Sequence, residues 1–201
     1  MDRFAFWADF FNANEVRTVT EIGVWRGEFA ERILSSCPSI ERYYLVDPWR
    51  HLPDWNKPFN KGDDEFEDVL AEARRRVSPF ASRCVFLRGR TTEVELPEVD
   101  FTYVDGDHTL RGISIDLIRA WPKTKWLGGD DFGPIWQHGA KFEPSMVNPF
   151  AAHFAEAVGA SFQIFGNQYL MGRDDAFAYD GDTRLLPHIR SRCRWERLFG
   201  Y

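Results

Sequence analysis

The segment that most restricts the fold is Asp100 to Phe132, DFTYVDGDHTLRGISIDLIRAWPKTKWLGGDDF, which encodes strand, acidic turn, helix, strand and second acidic turn without interruption. Phe101 to Val104 is an aromatic and β-branched run broken by Asp105-Gly106-Asp107-His108, the pattern of a buried strand ending in a turn. Leu110, Ile113, Leu117, Ile118 and Trp121 then recur at helical spacing, with Asp107 or Thr109 able to cap the start and Pro122 marking the end. Lys125 to Gly129 supplies the next strand and runs into Asp130-Asp131. Such a βαβ unit pairs its strands in parallel, about 5 Å apart. Asp105 and Asp130 therefore face one cleft, at the strand ends where open α/β sheets bind ligands. Carboxylates so close repel one another unless protons or a cation neutralise them, and hard oxygen ligands suit magnesium or calcium. An acid after a strand also serves as a cap or turn residue, so both readings stand.

The chain before this unit follows the same pattern. Thr18 to Val24 reads as a strand running into Glu21-Ile-Gly-Val-Trp-Arg-Gly27, then a helix with Phe29, Ala30, Ile33 and Leu34 on one face. A glycine turn that opens a helix presents unpaired N–H groups to an anionic ligand. Gly23 and Gly27 flank the bulky Trp25 and Arg26 rather than forming G-x-G-x-x-G, which argues against NAD or FAD. Arg42 to Val46 is a second strand ending in Asp47, whose two oxygens suit the hydroxyl pair of a ribose; the plain alternative is an Asp-Pro turn. A helix over 63–77 precedes the third strand, Cys84 to Leu87, and Arg88-Gly-Arg-Thr-Thr92 follows at the same sheet edge, where it could line an adenine pocket.

Two long polar loops flank these elements. Pro48 to Gly62 carries Trp49, His51, Trp55 and Phe59; Gly133 to Pro149 carries Trp136, Gln137, His138 and Lys141 and reads as a substrate lid. Trp25, Trp49, Trp55 and Trp136 are the tryptophans expected beside the cleft. A short helix over 150–158 and a hairpin about Gly166-Asn167, from Ser161 to Phe165 and Gln168 to Gly172, follow.

A chain of 201 residues fits one domain: a helix over 1–15, a core over 18–172 and a basic tail over 183–201. The net charge of −6 weighs against nucleic acid as a partner and suits a small hydroxylated acceptor such as a sugar or phenol. MDRFAFWADFF carries Asp2, Arg3 and Asp9 within its apolar run and reads as an amphipathic helix, neither signal peptide nor membrane span. Cys37, Cys84 and Cys193 are odd in number and lack metal spacing, as expected of reduced thiols in a cytoplasmic protein. The sequence carries no indication of oligomeric state.

Four motifs, E-I-G-V-W-R-G at Glu21 to Gly27, Y-L-V-D at Tyr44 to Asp47, Y-V-D-G-D-H at Tyr103 to His108 and G-G-D-D-F at Gly128 to Phe132, together resemble class I S-adenosylmethionine-dependent methyltransferases from about Thr18 to Gly172. The resemblance implies an α/β, Rossmann-like, seven-stranded, mainly parallel sheet with helices on both faces and an antiparallel C-terminal hairpin. It places Glu21, Gly23, Trp25 and Gly27 at the methionine moiety of the cofactor, Asp47 at the ribose, Gly89, Arg90, Thr91 and Thr92 at the adenine, and Asp105 alongside. The D-G-D-H and D-D pair is similar to small-molecule O-methyltransferases that use a divalent metal, which implies Asp105, Asp130 and Asp131 as ligands of Mg2+ and His108 as the base, with Asp107 the alternative. Where this chain carries Pro122-Lys-Thr-Lys125, members of that family often carry K-P-G-G. The rival expectations are a metal-independent N- or O-methyltransferase and a non-catalytic S-adenosylmethionine-binding protein of the same fold.

Overall fold

A computed structural model describes residues 2–135 and 141–173. The expectations for Trp136, Gln137, His138, Cys193 and the basic tail lie outside these residues.

Five strands run parallel: β1 (Thr18–Ile22), β2 (Arg42–Asp47), β3 (Cys84–Arg88), β4 (Val99–Val104) and β5 (Thr124–Gly129). The hairpin β6 (Ser161–Phe165) and β7 (Gln168–Gly172) completes the sheet in the order β3-β2-β1-β4-β5-β7-β6, with β7 antiparallel to both neighbours. Register fixes what emerges at the carboxyl edge. Ile22 pairs with both Val46 and Val104, and Val104 with Gly129, so Gly23, Asp47, Asp105 and Asp130 all lie at one rim. Strand order reverses between β1 and β4, which opens a crevice there.

Helices cover both faces. α1 (Arg3–Ala13), α2 (Glu28–Ser36) and α3 (Asp63–Arg76) share one core with Tyr43, Phe101 and Tyr103; α4 (Leu110–Ala120) and α5 (Val147–Ala157) share another with Ile22, Val104 and Leu127. α1 is less amphipathic than its sequence suggests, since Phe6, Trp7, Phe10 and Phe11 are all buried. The Trp7 ring lies edge-on to Tyr103, and a Cβ on Gly128 would meet it at 2.3 Å, so only glycine lets α1 approach β5 this closely. In α4 the caps are as expected: Thr109 accepts from Gly112 N at 3.1 Å, and Asp107 accepts from Thr109 N at 2.9 Å. Its apolar face is narrower than the spacing indicated. Leu110 and Ile118 are 52% and 58% exposed, because the face turned to the sheet is Gly112, Ile113, Asp116 and Leu117. α5 begins at Val147, ahead of the expected start, with Pro149 tolerated in its first turn.

Candidate active site

The rim residues open into a cavity of about 1020 Å³ lined by both long loops, the glycine turn and the turns after β3, β4 and β5. Its shape begins with Gly23. At φ 88° this residue occupies the left-handed region, and a Cβ there would lie 2.1 Å from the backbone oxygen of Asp105. The turn can therefore nest against β4 only with glycine at this position.

Asp47 locks the same turn. Its Oδ2 accepts from Val24 N and Trp25 N, each at 3.0 Å, and its Oδ1 accepts from Trp49 N at 2.8 Å. Burial raises its pKa, and the three backbone bonds oppose that shift. A carboxylate offers about four lone-pair sites, so roughly one remains for a ligand hydroxyl rather than the two expected of a ribose clamp. Glu21 is 1% exposed and accepts from Tyr43 Oη at 2.7 Å, and burial pushes its pKa well above the ordinary carboxylate range against the pull of that bond. Trp25 lines the cavity with its ring edge-on to Phe59 and Phe66. Trp49 is fully buried and donates to Trp25 O at 2.9 Å, which makes it an anchor of the turn rather than a cleft residue. Gly89, Arg90, Thr91 and Thr92 all line the cavity.

At the opposite end lie the acids. His108 sits between two of them, Nδ1 at 2.9 Å from Asp131 Oδ2 and Nε2 at 3.5 Å from Asp105 Oδ1. Burial alone would lower its pKa, but the two carboxylates prevail and push it up to about 10. Burial carries Asp105 up to about 6, against the pull of His108. In this arrangement the imidazole is charged at neutral pH, and a proton-accepting role requires a change in its surroundings. Asp107, the alternative base, accepts from Trp55 Nε1 at 2.9 Å as well as from Thr109 N, so it anchors a loop and a helix start. Asp130 is held by Arg3 and by Gln168 Nε2, and accepts from Asp131 N at 2.7 Å. Arg3 also lies 3.6 Å from Asp105.

These distances bear on the expected metal. Ligand atoms of Asp105, His108 and Asp131 lie within 4.8 Å of one another, and among the described residues the buried His108 Nε2 has no well-formed hydrogen bond, Asp105 being 3.5 Å away. Once the imidazole has lost its proton, it and the two carboxylates form a fit donor set for a divalent cation. Asp130, expected in the set, faces Arg3 instead.

Three cavity residues had no place in the sequence reading. Arg3 reaches the acids from the start of α1, and nothing in its local sequence indicated this. Lys57 is buried and donates to the backbone oxygens of Glu143 at 2.6 Å and Pro144 at 3.3 Å, while Asn56 O accepts from Glu143 N, so the two long loops are stapled together. Asp116 is buried beneath the strand ends; a charged residue between Ile113 and Leu117 on the apolar face of α4 was the signal available for it.

The sheet order, the antiparallel terminal hairpin and a nucleoside-sized cavity at the strand-order reversal define a class I S-adenosylmethionine-dependent methyltransferase. The chain belongs to the methyltransferase-domain family, whose sequence profile matches residues 20–129. No curated protein sequence matches it. Among solved structures it resembles a candidate caffeoyl-CoA O-methyltransferase from Staphylococcus aureus at TM-score 0.59 and 13% identity, over 85% of this chain and 83% of that one. It also resembles a candidate RNA methyltransferase from Pyrococcus horikoshii, at TM-score 0.56 and 12% identity, over 83% and 80%. Human N-acetylserotonin methyltransferase in complex with S-adenosylmethionine superposes at TM-score 0.58 and 16% identity, over 84% of this chain and 51% of that one. Such distant likenesses establish the fold and leave the acceptor open.

Proposed function

We propose that this chain transfers a methyl group from S-adenosylmethionine to a hydroxyl of a small molecule, with a divalent metal assisting at Asp105, His108 and Asp131. The observation that carries the reading is the convergence of those three donors at the rim of the cavity that also holds the glycine turn and Asp47. S-adenosylmethionine, when bound, supplies a methyl group on a positively charged sulfur. The metal would be held by Asp105, His108 and Asp131 and would supply Lewis acidity that lowers the pKa of a bound hydroxyl.

The chain's own residues do the rest. Gly23 and Asp47 shape the turn that receives the cofactor, and the spare acceptor site of Asp47 takes one ribose hydroxyl. The loops joined by Lys57 cover the cavity and limit water at the transfer site, where alignment of oxygen and methyl accounts for most of the rate gain. With no metal bound, Asp105, its pKa raised to about 6, is a carboxylate suited to receive the acceptor's proton near neutral pH.

A second reading is favoured by Arg3. Its guanidinium on Asp130 and the charged His108 already neutralise the acids, as a metal-independent transferase requires. The test is calorimetry of S-adenosylhomocysteine on wild type and Asp47→Ala, followed by turnover on phenolic and sugar acceptors with Mg2+ or with chelator. Binding lost in the variant and turnover lost with chelator support the first reading. Turnover indifferent to chelator selects the second. No binding to wild type refutes both, and binding without turnover across the panel leaves a cofactor-binding protein of this fold.

A further inference from the structure

Six arginines line the cavity, and each meets a carboxylate: Arg3 pairs with Asp130, Arg26 with Glu72, Arg50 with Glu93, Arg76 with Glu31, and Arg90 and Arg111 share Asp54. Lys57 is the exception. It is only 5% exposed, and among the described residues its ammonium forms no ion pair. Nζ donates instead to the backbone oxygens of Glu143 at 2.6 Å and Pro144 at 3.3 Å, which leaves one N–H of the ammonium unspent. The carboxylates that face it are turned elsewhere, Asp107 to Trp55 Nε1 and Thr109 N, Asp131 to His108 Nδ1, and Glu143 to water. Burial lowers the Lys57 pKa, and the pull of these acids does not make up the difference. A buried ammonium with no anion in contact is costly, and an anion supplied by a ligand would offset that cost.

We propose that the acceptor carries a carboxylate as well as the hydroxyl that is methylated, and that Lys57 Nζ is the counter-ion that holds it. The inference rests on the methyltransferase reading above and names the class of its acceptor, a hydroxy acid. Position supports the assignment. Lys57 lines the cavity together with the groups that face it, Asp107, Asp131 and Glu143, so its head lies at the end where Asp105, His108 and Asp131 gather. An acid gripped there presents its hydroxyl to the transfer site, with or without a metal. Charge supports it too. Lys57 offers one positive charge, which a carboxylate matches, whereas a phosphate dianion would set a surplus negative charge against Asp107 and Asp131. A Lys57 that served only to staple the two loops would show no preference between an acid and its neutral amide.

The experiment saturates the protein with S-adenosylhomocysteine and titrates it by calorimetry with a panel of aromatic and sugar hydroxy acids, each beside its neutral amide: hydroxybenzoates beside hydroxybenzamides, gluconate beside gluconamide. At least one acid should bind about tenfold or more tightly than its amide, the scale of a charge-assisted hydrogen bond. Lys57→Gln keeps an N–H donor for the loop carbonyls and loses the charge, so the preference should fall to parity with the amide's affinity nearly unchanged. Retained S-adenosylhomocysteine binding reports that this variant is folded. A wild-type panel in which no acid exceeds its amide overturns the proposal without need of any variant. A preference that survives in Lys57→Gln, or acid and amide weakened in equal proportion, overturns it as well and leaves the cofactor reading intact. Wild type that binds no S-adenosylhomocysteine refutes that reading, and the proposal with it.

Discussion

Replacing Asp116 by asparagine should make the protein more stable at alkaline pH and leave it little changed at acid pH. Burial pushes the Asp116 carboxyl up to about 7 from an ordinary 3.8, even though the Thr91 hydroxyl pulls the other way. At roughly 1.4 kcal/mol per unit, that difference is worth about 4 kcal/mol of pH-dependent stability. The sign follows from proton binding. Between the unfolded and folded pKa values the folded chain holds the proton that the unfolded chain has released, so stability falls as pH rises through that window. It is fully present below about pH 3.8 and gone above about pH 7. Asparagine does not titrate and keeps an oxygen for Thr91. Urea denaturation of both proteins at matched steps from about pH 4 to pH 8 measures the difference directly, since other titrating groups cancel. The gap should widen toward the alkaline end and flatten above pH 7. A gap that is constant, or that narrows as pH rises, would show that Asp116 is not held in a desolvated site.

Three further perturbations test the rest of the geometry. Arg3→Ala frees Asp130 and part of Asp105, so Mn2+ binding by calorimetry should tighten by roughly tenfold, the scale of a lost charge-assisted hydrogen bond; unchanged affinity would separate Arg3 from the metal question. Gly23→Ala forces a left-handed turn and a 2.1 Å clash with backbone, so thermal or urea denaturation should show a loss of more than about 2 kcal/mol. Lys57→Met leaves two carbonyls without their donor, so amide exchange should quicken across the 48–62 and 141–146 segments while S-adenosylhomocysteine affinity holds; exchange confined to one segment would refute the staple.

The sheet was legible because its strands alternate with helices and each ends in a glycine or acid, a local pattern that survives in any tertiary context. The same locality explains what was missed. Asp47 was readable as a strand-end acid, but its three bonds to Val24, Trp25 and Trp49 depend on how the turn after β1 folds over β2. Asp130 and Asp131 look alike in sequence. Only the left-handed backbone at Asp131, φ 61°, sends one carboxylate to His108 and leaves the other to Arg3. Trp49 and Trp55 likewise sit in one loop, yet the first is an anchor in the core and the second reaches Asp107 at the cavity. Partners far apart along the chain, such as Arg3 with Asp130, leave no periodic trace.

That long-range partnership gives α1 a reason to be so aromatic. A helix that only covered the sheet would need one apolar stripe, whereas Phe6, Trp7, Phe10 and Phe11 together wedge it against β4 and β5. Trp7 Nε1 donates to Gln168 Oε1 at 2.8 Å, Tyr103 Oη donates to the same oxygen at 2.9 Å, and Gln168 Nε2 donates to Asp130, which Arg3 grips from the other side. With Gln168 oriented by two donors, Asp130 has little rotational freedom, and a cation competing for it must displace a guanidinium fixed on a rigid helix. On the metal reading proposed above, the packing of α1 would set how strongly the acids at the cavity attract a cation. A helix outside the matched family segment is thereby tied to the acids at the cavity's rim.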